Sequence, residues 1–246
     1  MSGGSTGRGS MSFVRASTLS FAEHAELFTR AYDGYPVPTT IDEPALRTIV
    51  ELWDLDRDRS LVAPGEGLVN LGVRDDRGWI GGLGVVPSAR RRGLGRALME
   101  AVLADAPPVV TLEVLEQNEG ARRLYEALGF EAVRMLEIWT AAETPHVEAQ
   151  SVEPSPLGQP ELPWQREDAS LPPEYERLEV DGGAMLLRGN NVLQLDARSE
   201  DAAVALLSRG TPISFVNVPE ADVANAALER LGAQRTLRQY EMRLLR

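Results

Sequence analysis

Residues 85–103 read VVPSARRRGLGRALMEAVL, and this stretch constrains the fold more than any other. An apolar, strand-like run stops at Pro87. Three arginines and the turn Gly93-Leu94-Gly95 follow. Leu94, Leu98, Ala101 and Val102 then recur at helical spacing. A strand that turns through glycine into a helix over so few residues belongs to a mixed α/β architecture. It also has a chemical consequence. The first amides of a helix lack intrahelical acceptors and sit at the positive end of its dipole. Glycine lets that backbone approach a ligand, so the turn suits phosphate oxygens. Other phosphate loops do not fit: there is no GxxxxGK[ST], and the third glycine of GxGxxG is replaced by Leu98. A glycine-softened turn with surface arginines is the simpler alternative.

The flanking pattern extends the α/β reading. Phe13 to Ser17 reads as a strand, and Phe21 to Ala31 and Thr40 to Trp53 read as helices. Three short strands, SLVA, LVNLGVR and WIGGLGVVP, separated by PGEG and DDRG, form hairpins. Gly81-Gly82 in that strand marks either a bulge or close packing. After the Gly93 to Asp105 helix come a strand at 107–116, a helix from Asn118 to Leu128 and a strand at 130–140. Residues 141–173 are rich in Pro, Glu and Ser and read as a linker or a segment draped over the surface. Order then resumes, and a shift of roughly 103 positions lays the strand-helix-strand at 109–140 onto that at 212–243. This predicts a partial internal repeat over 174–246 after a first domain at 12–140. Residues 1–11 read as a flexible tail.

Composition narrows the chemistry. The net charge of −12 argues against a nucleic-acid partner and suits cationic substrates. Cysteine is absent, which excludes disulfides, thiolate catalysis and cysteine metal sites. No apolar run is long enough to span a membrane, and no export signal is evident, so the cytoplasm is the expected location. His24 and His146 are isolated in sequence and read as surface or internally satisfied residues; no metal site is expected.

Two motifs resemble signatures of the GNAT superfamily of N-acetyltransferases. Val85, Pro87, Arg90, Gly93 and Gly95 match its V-x-P-x-x-R-x-x-G-x-G/A pattern. Asn118, Ala121, Leu124, Tyr125, Gly129 and Phe130 match N-x-x-A-x-x-L-Y-x-x-x-G-F. The resemblance covers about residues 13–140 and implies a GNAT fold: a mixed central sheet flanked by helices, with a second, partial GNAT-like domain. It implies acetyl-CoA as co-substrate and a small-molecule or peptide amine as acceptor, with direct attack in one ternary complex. The backbone at Leu83, Gly84 and Val85 would pair with the pantetheine arm. The amides of Arg91, Arg92, Gly93, Leu94, Gly95 and Arg96 would hold the pyrophosphate, with Arg90 bracing the loop. Asn118 would meet the pantetheine or cap its helix.

The resemblance casts Tyr125 as the acid that protonates the leaving thiolate; the alternative is a core aromatic. Glu113 stands between Leu112 and Val114 in an apolar strand and is the candidate base, with a structural ion partner or ordered water as alternatives. Acids gather ahead of the first hairpin, either for a cationic acceptor or as a solvated surface. Under the same shift Tyr125, Asn118 and Glu113 fall on Leu228, Ala221 and Val216, so the second half lacks these groups. Two functions compete with amine acetylation: a CoA sensor without turnover, and transfer of a longer acyl group. A homodimer is also open, since shared sheets are common in that family.

Overall fold

Ser20 starts the first helix by a reciprocal cap: its hydroxyl accepts from Glu23 N–H, and Glu23 accepts from Ser20 N–H at 2.8 Å. A computed structural model describes residues 12–37 and 39–246. The tail expected at 1–11 lies outside the described residues. The chain divides into two compact units between Val110 and Thr111.

The first unit holds β1 (Val14–Arg15), α1 (Phe21–Ala31), α2 (Glu43–Leu52), β2 (Leu61–Ala63), β3 (Gly67–Arg74), β4 (Arg77–Val85) and α3 (Leu94–Ala104). Its strands pair antiparallel in the order β1-β2-β3-β4. The expected first strand is shorter because Ala16 to Thr18 form a 3-10 turn. The second helix starts at Glu43 rather than Thr40. Asp42 caps it by accepting from Ala45 N–H at 2.8 Å, while Ile41 is held outside by the Thr29 hydroxyl. Leu46, Leu68, Leu71, Leu98 and Met99 are fully buried and form the centre of this unit.

β5 (Val109–Leu115) contains the division. The second unit continues with α4 (Glu119–Glu126), β6 (Glu131–Ala141), β7 (Gln150–Val152), β8 (Glu176–Val180), β9 (Gly183–Arg188), β10 (Asn191–Ala197), α5 (Glu200–Leu207), β11 (Ile213–Pro219), α6 (Ala224–Arg230) and β12 (Gln234–Leu245). Its strand order is β5-β12-β6-β11-β10-β9-β8-β7, with β10 and β11 parallel and β6 antiparallel to both β11 and β12. The last strand of the chain thus separates β5 from β6, and β6 pairs with β11 instead. Leu136 faces Gln239 at the centre of the β6–β12 ladder. These two are one repeat apart, at roughly 103 positions, so the exchange is close to symmetric about that pair. Phe215, Met185, Leu195, Leu206 and Leu228 anchor the apolar core beneath β9 to β11.

The repeat is visible in hydrogen bonds as well as in element order. Gly129 (φ 92°) ends α4 in a Schellman motif, with Gly129 N–H to Glu126 O and Phe130 N–H to Tyr125 O, both 3.0 Å. Gly232 (φ 74°) does the same for α6, with bonds to Glu229 O and from Ala233 N–H to Leu228 O. Upstream the register is one residue longer. Asn118 N–H meets Leu115 O as Asp222 N–H meets Pro219 O, at 2.9 and 2.8 Å. The strict shift is therefore corrected there: Asn217 is the counterpart of Glu113, and Asp222 that of Asn118. Asp222 also caps its helix, accepting from Ala224 N–H at 2.9 Å. α6 is the shorter helix and absorbs the difference.

The segment 141–173, rich in proline, is not a bare connector. It contributes β7, paired with β8, and two 3-10 turns, the first burying Trp164 and Arg166 and the second Ser170.

Candidate active site

The first signature folds as one strand-loop-helix in the first unit. Leu83, Gly84 and Val85 pair with Val69, Leu68 and Gly67 of β3. Gly81 is an extra residue on β4: Asn70 faces Gly82 while Leu71 already faces Ile80. The glycines here serve both purposes considered from sequence. Gly81 forms the bulge. A Cβ on Gly84 would stand 2.7 Å from Ala31 Cβ, and one on Gly82 would stand 3.0 Å from the Tyr32 hydroxyl. Bare backbone at Gly82 and Gly84 thus admits α1, whose Phe28 and Tyr32 rings stack at 4.8 Å.

After β4 the loop bends through left-handed backbone at Arg91 (φ 61°) and Gly93 (φ 82°). Arg90, itself exposed, braces it, with Nε donating to Val85 O at 2.8 Å and Nη2 to the carbonyls of Ala31 and Asp33. Its guanidinium is thereby committed to backbone oxygens. Arg91, Arg92 and Gly93 are exposed, and Leu94 packs inward at 5% exposure. Arg96 pairs with Glu100 at 2.8 Å on the surface of α3.

The first backbone bond of α3 is Ala97 N–H to Gly93 O, 3.0 Å. Among the described residues, no backbone acceptor takes the amides of Arg91 through Arg96. A Cβ on Gly93 would meet nothing within 4 Å, so open space lies beside these donors. Donors without acceptors, at the positive end of a helix and next to open space, fit a pyrophosphate. In the same unit a cavity of about 650 Å³ is lined by Tyr32, Asp33, Tyr35, Thr39, Val86 and Pro87. Its aromatic lining, with Arg30 and Asp33 as the charged members, was not singled out from sequence, because Asp33 was one acid among many.

The second signature lies in the second unit. Asn118 caps α4, its side chain accepting from Ala121 N–H at 3.2 Å. Of its two expected roles, capping is the one its geometry displays. Tyr125 is buried at 6% exposure, with its ring 5.9 Å from that of Phe130 and tilted by 60°. This contact is the apolar clasp that accompanies a Schellman motif. The L-Y-x-x-x-G-F run therefore has a local physical cause: it ends the helix and orients the tyrosine. Glu113 is half-buried on β5, and Gln165 Nε2 donates to its Oε2 at 3.3 Å. Sequence reasoning missed Gln165, which sits among prolines with no periodicity around it.

The two histidines divide. His24 is 1% exposed, and its Nε2 lies 3.0 Å from Asn70 Oδ1. Burial first, and the Arg57 charge second, push its pKa down to about 4, with the Asn70 contact opposing. His146 is exposed, its Nδ1 3.3 Å from Arg209 O. Among the described residues no three His, Asp or Glu side chains gather as metal ligands, and no helix is long and apolar enough to cross a membrane.

Residues 21–130 match the model of the acetyltransferase (GNAT) family. No curated protein sequence matches the chain significantly. Solved structures resemble it along nearly its whole length. One from Pyrococcus horikoshii, assigned as an acetyltransferase, superposes with a TM-score of 0.65 at 19% identity, covering 90% of this chain and 84% of its own. A GCN5-related N-acetyltransferase from Sphaerobacter thermophilus gives 0.64 at 17% identity over 92% of both chains. A tandem GNAT protein from the clavulanic acid biosynthesis pathway gives 0.59 at 15% identity, covering 92% of this chain and 94% of its own. At these identities the likeness is one of fold, and it includes a tandem arrangement. With both signatures folded and the family model matched over α1 to Phe130, the chain carries an acetyltransferase domain of the GNAT family at residues 21–130.

Proposed function

We propose that this chain transfers an acetyl group from acetyl-CoA to a primary amine. The observation that carries the reading is the α3 N-terminus, where the amides of Arg91 to Arg96 lack backbone acceptors beside open space. Acetyl-CoA supplies the activated thioester carbonyl. The chain's own groups do the rest. The amides of Arg91 through Arg96 hold the pyrophosphate, and Arg90 keeps their loop closed. The backbone of Leu83 to Val85 aligns the pantetheine arm.

An alkyl ammonium, with a pKa of about 10, must lose a proton before it is a nucleophile. Glu113 accepts that proton. The Tyr125 hydroxyl supplies one to the departing thiolate, and Asn118, by capping α4, sets the helix that carries it. Tyr32 and Tyr35 offer a cationic acceptor an aromatic wall in the first unit, with Asp33 as its carboxylate and Arg30 beside it. On this reading residues 12–140 are the catalytic domain and 174–246 a degenerate copy, in which Asn217 and Leu228 stand where Glu113 and Tyr125 would.

Purified chain, incubated with acetyl-CoA and a panel of primary amines that includes polyamines, aminoglycosides and lysyl peptides, should release free CoA with at least one of them. Tight CoA binding with no release across the panel would replace this reading with that of a sensor.

A further inference from the structure

β10 and β11 run parallel but pair only at Asn191 with Ser214 and Val192 with Phe215. Beyond those pairs their polar groups turn to the segment 157–168. Arg166 donates to Leu193 O (3.3 Å) and to Asn217 O (3.0 Å), one carbonyl from each strand. Gln159 donates to Leu195 O at 2.9 Å. The Gln194 side chain accepts from Leu157 N–H and donates to Arg166 O and to Asp168 Oδ1, the last two at 2.8 Å. The proline-rich segment therefore fills the gap between two parallel strands of the repeat. Arg166 is its anchor, 4% exposed with its guanidinium 4.4 Å from the centre of the Phe215 ring.

The residue next to this anchor reaches the candidate base. Gln165 Nε2 donates to Glu113 Oε2, and Gln165 Oε1 accepts from Asn217 Nδ2 at 3.0 Å. Asn217 Oδ1 in turn accepts from Gln239 Nε2. An ionised carboxylate only accepts hydrogen bonds, so Glu113 sets the direction of all three amides. Every donor in the chain Gln239, Asn217, Gln165 points toward Glu113. Asn217 is the repeat counterpart of Glu113, so one glutamine amide bridges the two equivalent positions.

We infer that Gln165 is a positioning residue for Glu113: the segment between the repeats supplies the amide that fixes the carboxylate's orientation and favours its charged form. The inference rests on Glu113 being the base of the proposed reaction, and its test separates the two. In the full chain, labelled with carbon-13, the Glu113 carboxyl signal is identified by its loss in Glu113→Gln and then titrated.

Removing a donor to a carboxylate disfavours the charged form. In Gln165→Leu the midpoint should rise by about half to one pH unit. In Gln165→Glu, where a like charge replaces the amide, it should rise further. Gln165→Glu preserves length and shape and carries the test by itself if Gln165→Leu does not fold. An unchanged midpoint in the folded variants overturns the inference. The base assignment fails separately, if Glu113→Gln retains full CoA release with the responding amine.

Discussion

Arg90 Nε donates to the carbonyl oxygen of Val85, 2.8 Å away, and so ties the end of β4 to the loop that opens α3. Its Nη2 adds the last carbonyl of α1, Ala31 O, at 3.2 Å. The arginine of the first signature is thus a brace at the surface, and on the proposed reading the ligand-facing donors are the amides after it. Arg90→Ala should raise the dissociation constant for acetyl-CoA by about tenfold, through loosening of the loop. Arg90→Lys should recover little of it, because an ammonium lacks the planar fork. Calorimetric titration with CoA measures both; full affinity in Arg90→Ala would refute the bracing role.

Gly93 is the sharper probe of the cradle. At φ 82° it occupies left-handed backbone, and the space beyond its missing Cβ is open. Gly93→Trp both strains that backbone and covers the amides. CoA affinity should fall by more than about tenfold while the circular dichroism spectrum is retained. Retained affinity would sink the phosphate assignment.

Tyr125 separates chemistry from binding. Its ring packs on Phe130 whether or not it carries a hydroxyl. Tyr125→Phe should therefore fold and bind CoA as before, with kcat reduced by about 10²- to 10⁴-fold. A wild-type rate would leave Tyr125 a core aromatic.

Gly84 tests why β4 is so rich in glycine. An alanine there puts Cβ 2.7 Å from Ala31 Cβ and 3.0 Å from Tyr32 Cε2, both tied to the α1 backbone. Gly84→Ala should destabilise the chain by about 1–3 kcal/mol, read by chemical denaturation. An unchanged unfolding midpoint would mean that α1 packs more loosely than this.

His24 predicts the pH dependence of stability. Its folded pKa of about 4 lies below the ordinary value of 6.5, so the unfolded chain binds the extra proton between those pH values. The contribution of neutral His24 is fully present above pH 6.5 and is lost as the pH falls toward 4. The loss is of order 3 kcal/mol, less whatever the fold relaxes. His24→Gln should flatten this limb of a denaturation-against-pH curve, and an identical slope would place the titration elsewhere.

Sequence alone carried what depends on neighbours along the chain. The Gly93 turn and the Gly129 helix end are closed by hydrogen bonds spanning a few residues. Their spacing shows in the chain, and the family resemblance followed from it. The internal repeat was legible for the same reason, except for the slip of one residue at the shorter α6, which the hydrogen bonds revealed.

The tertiary structure decided the rest. Nothing local to 234–245 says that this strand will lie between β5 and β6, or that the amide of Gln165 will reach Glu113 across 52 positions. Strand pairing is chosen by register and by which apolar faces remain to be covered, and both are properties of the assembled sheet. A polar side chain in a proline-rich segment carries no periodic mark. What it touches is settled only when Arg166 beside it is buried between two strands and its guanidinium must find their carbonyls.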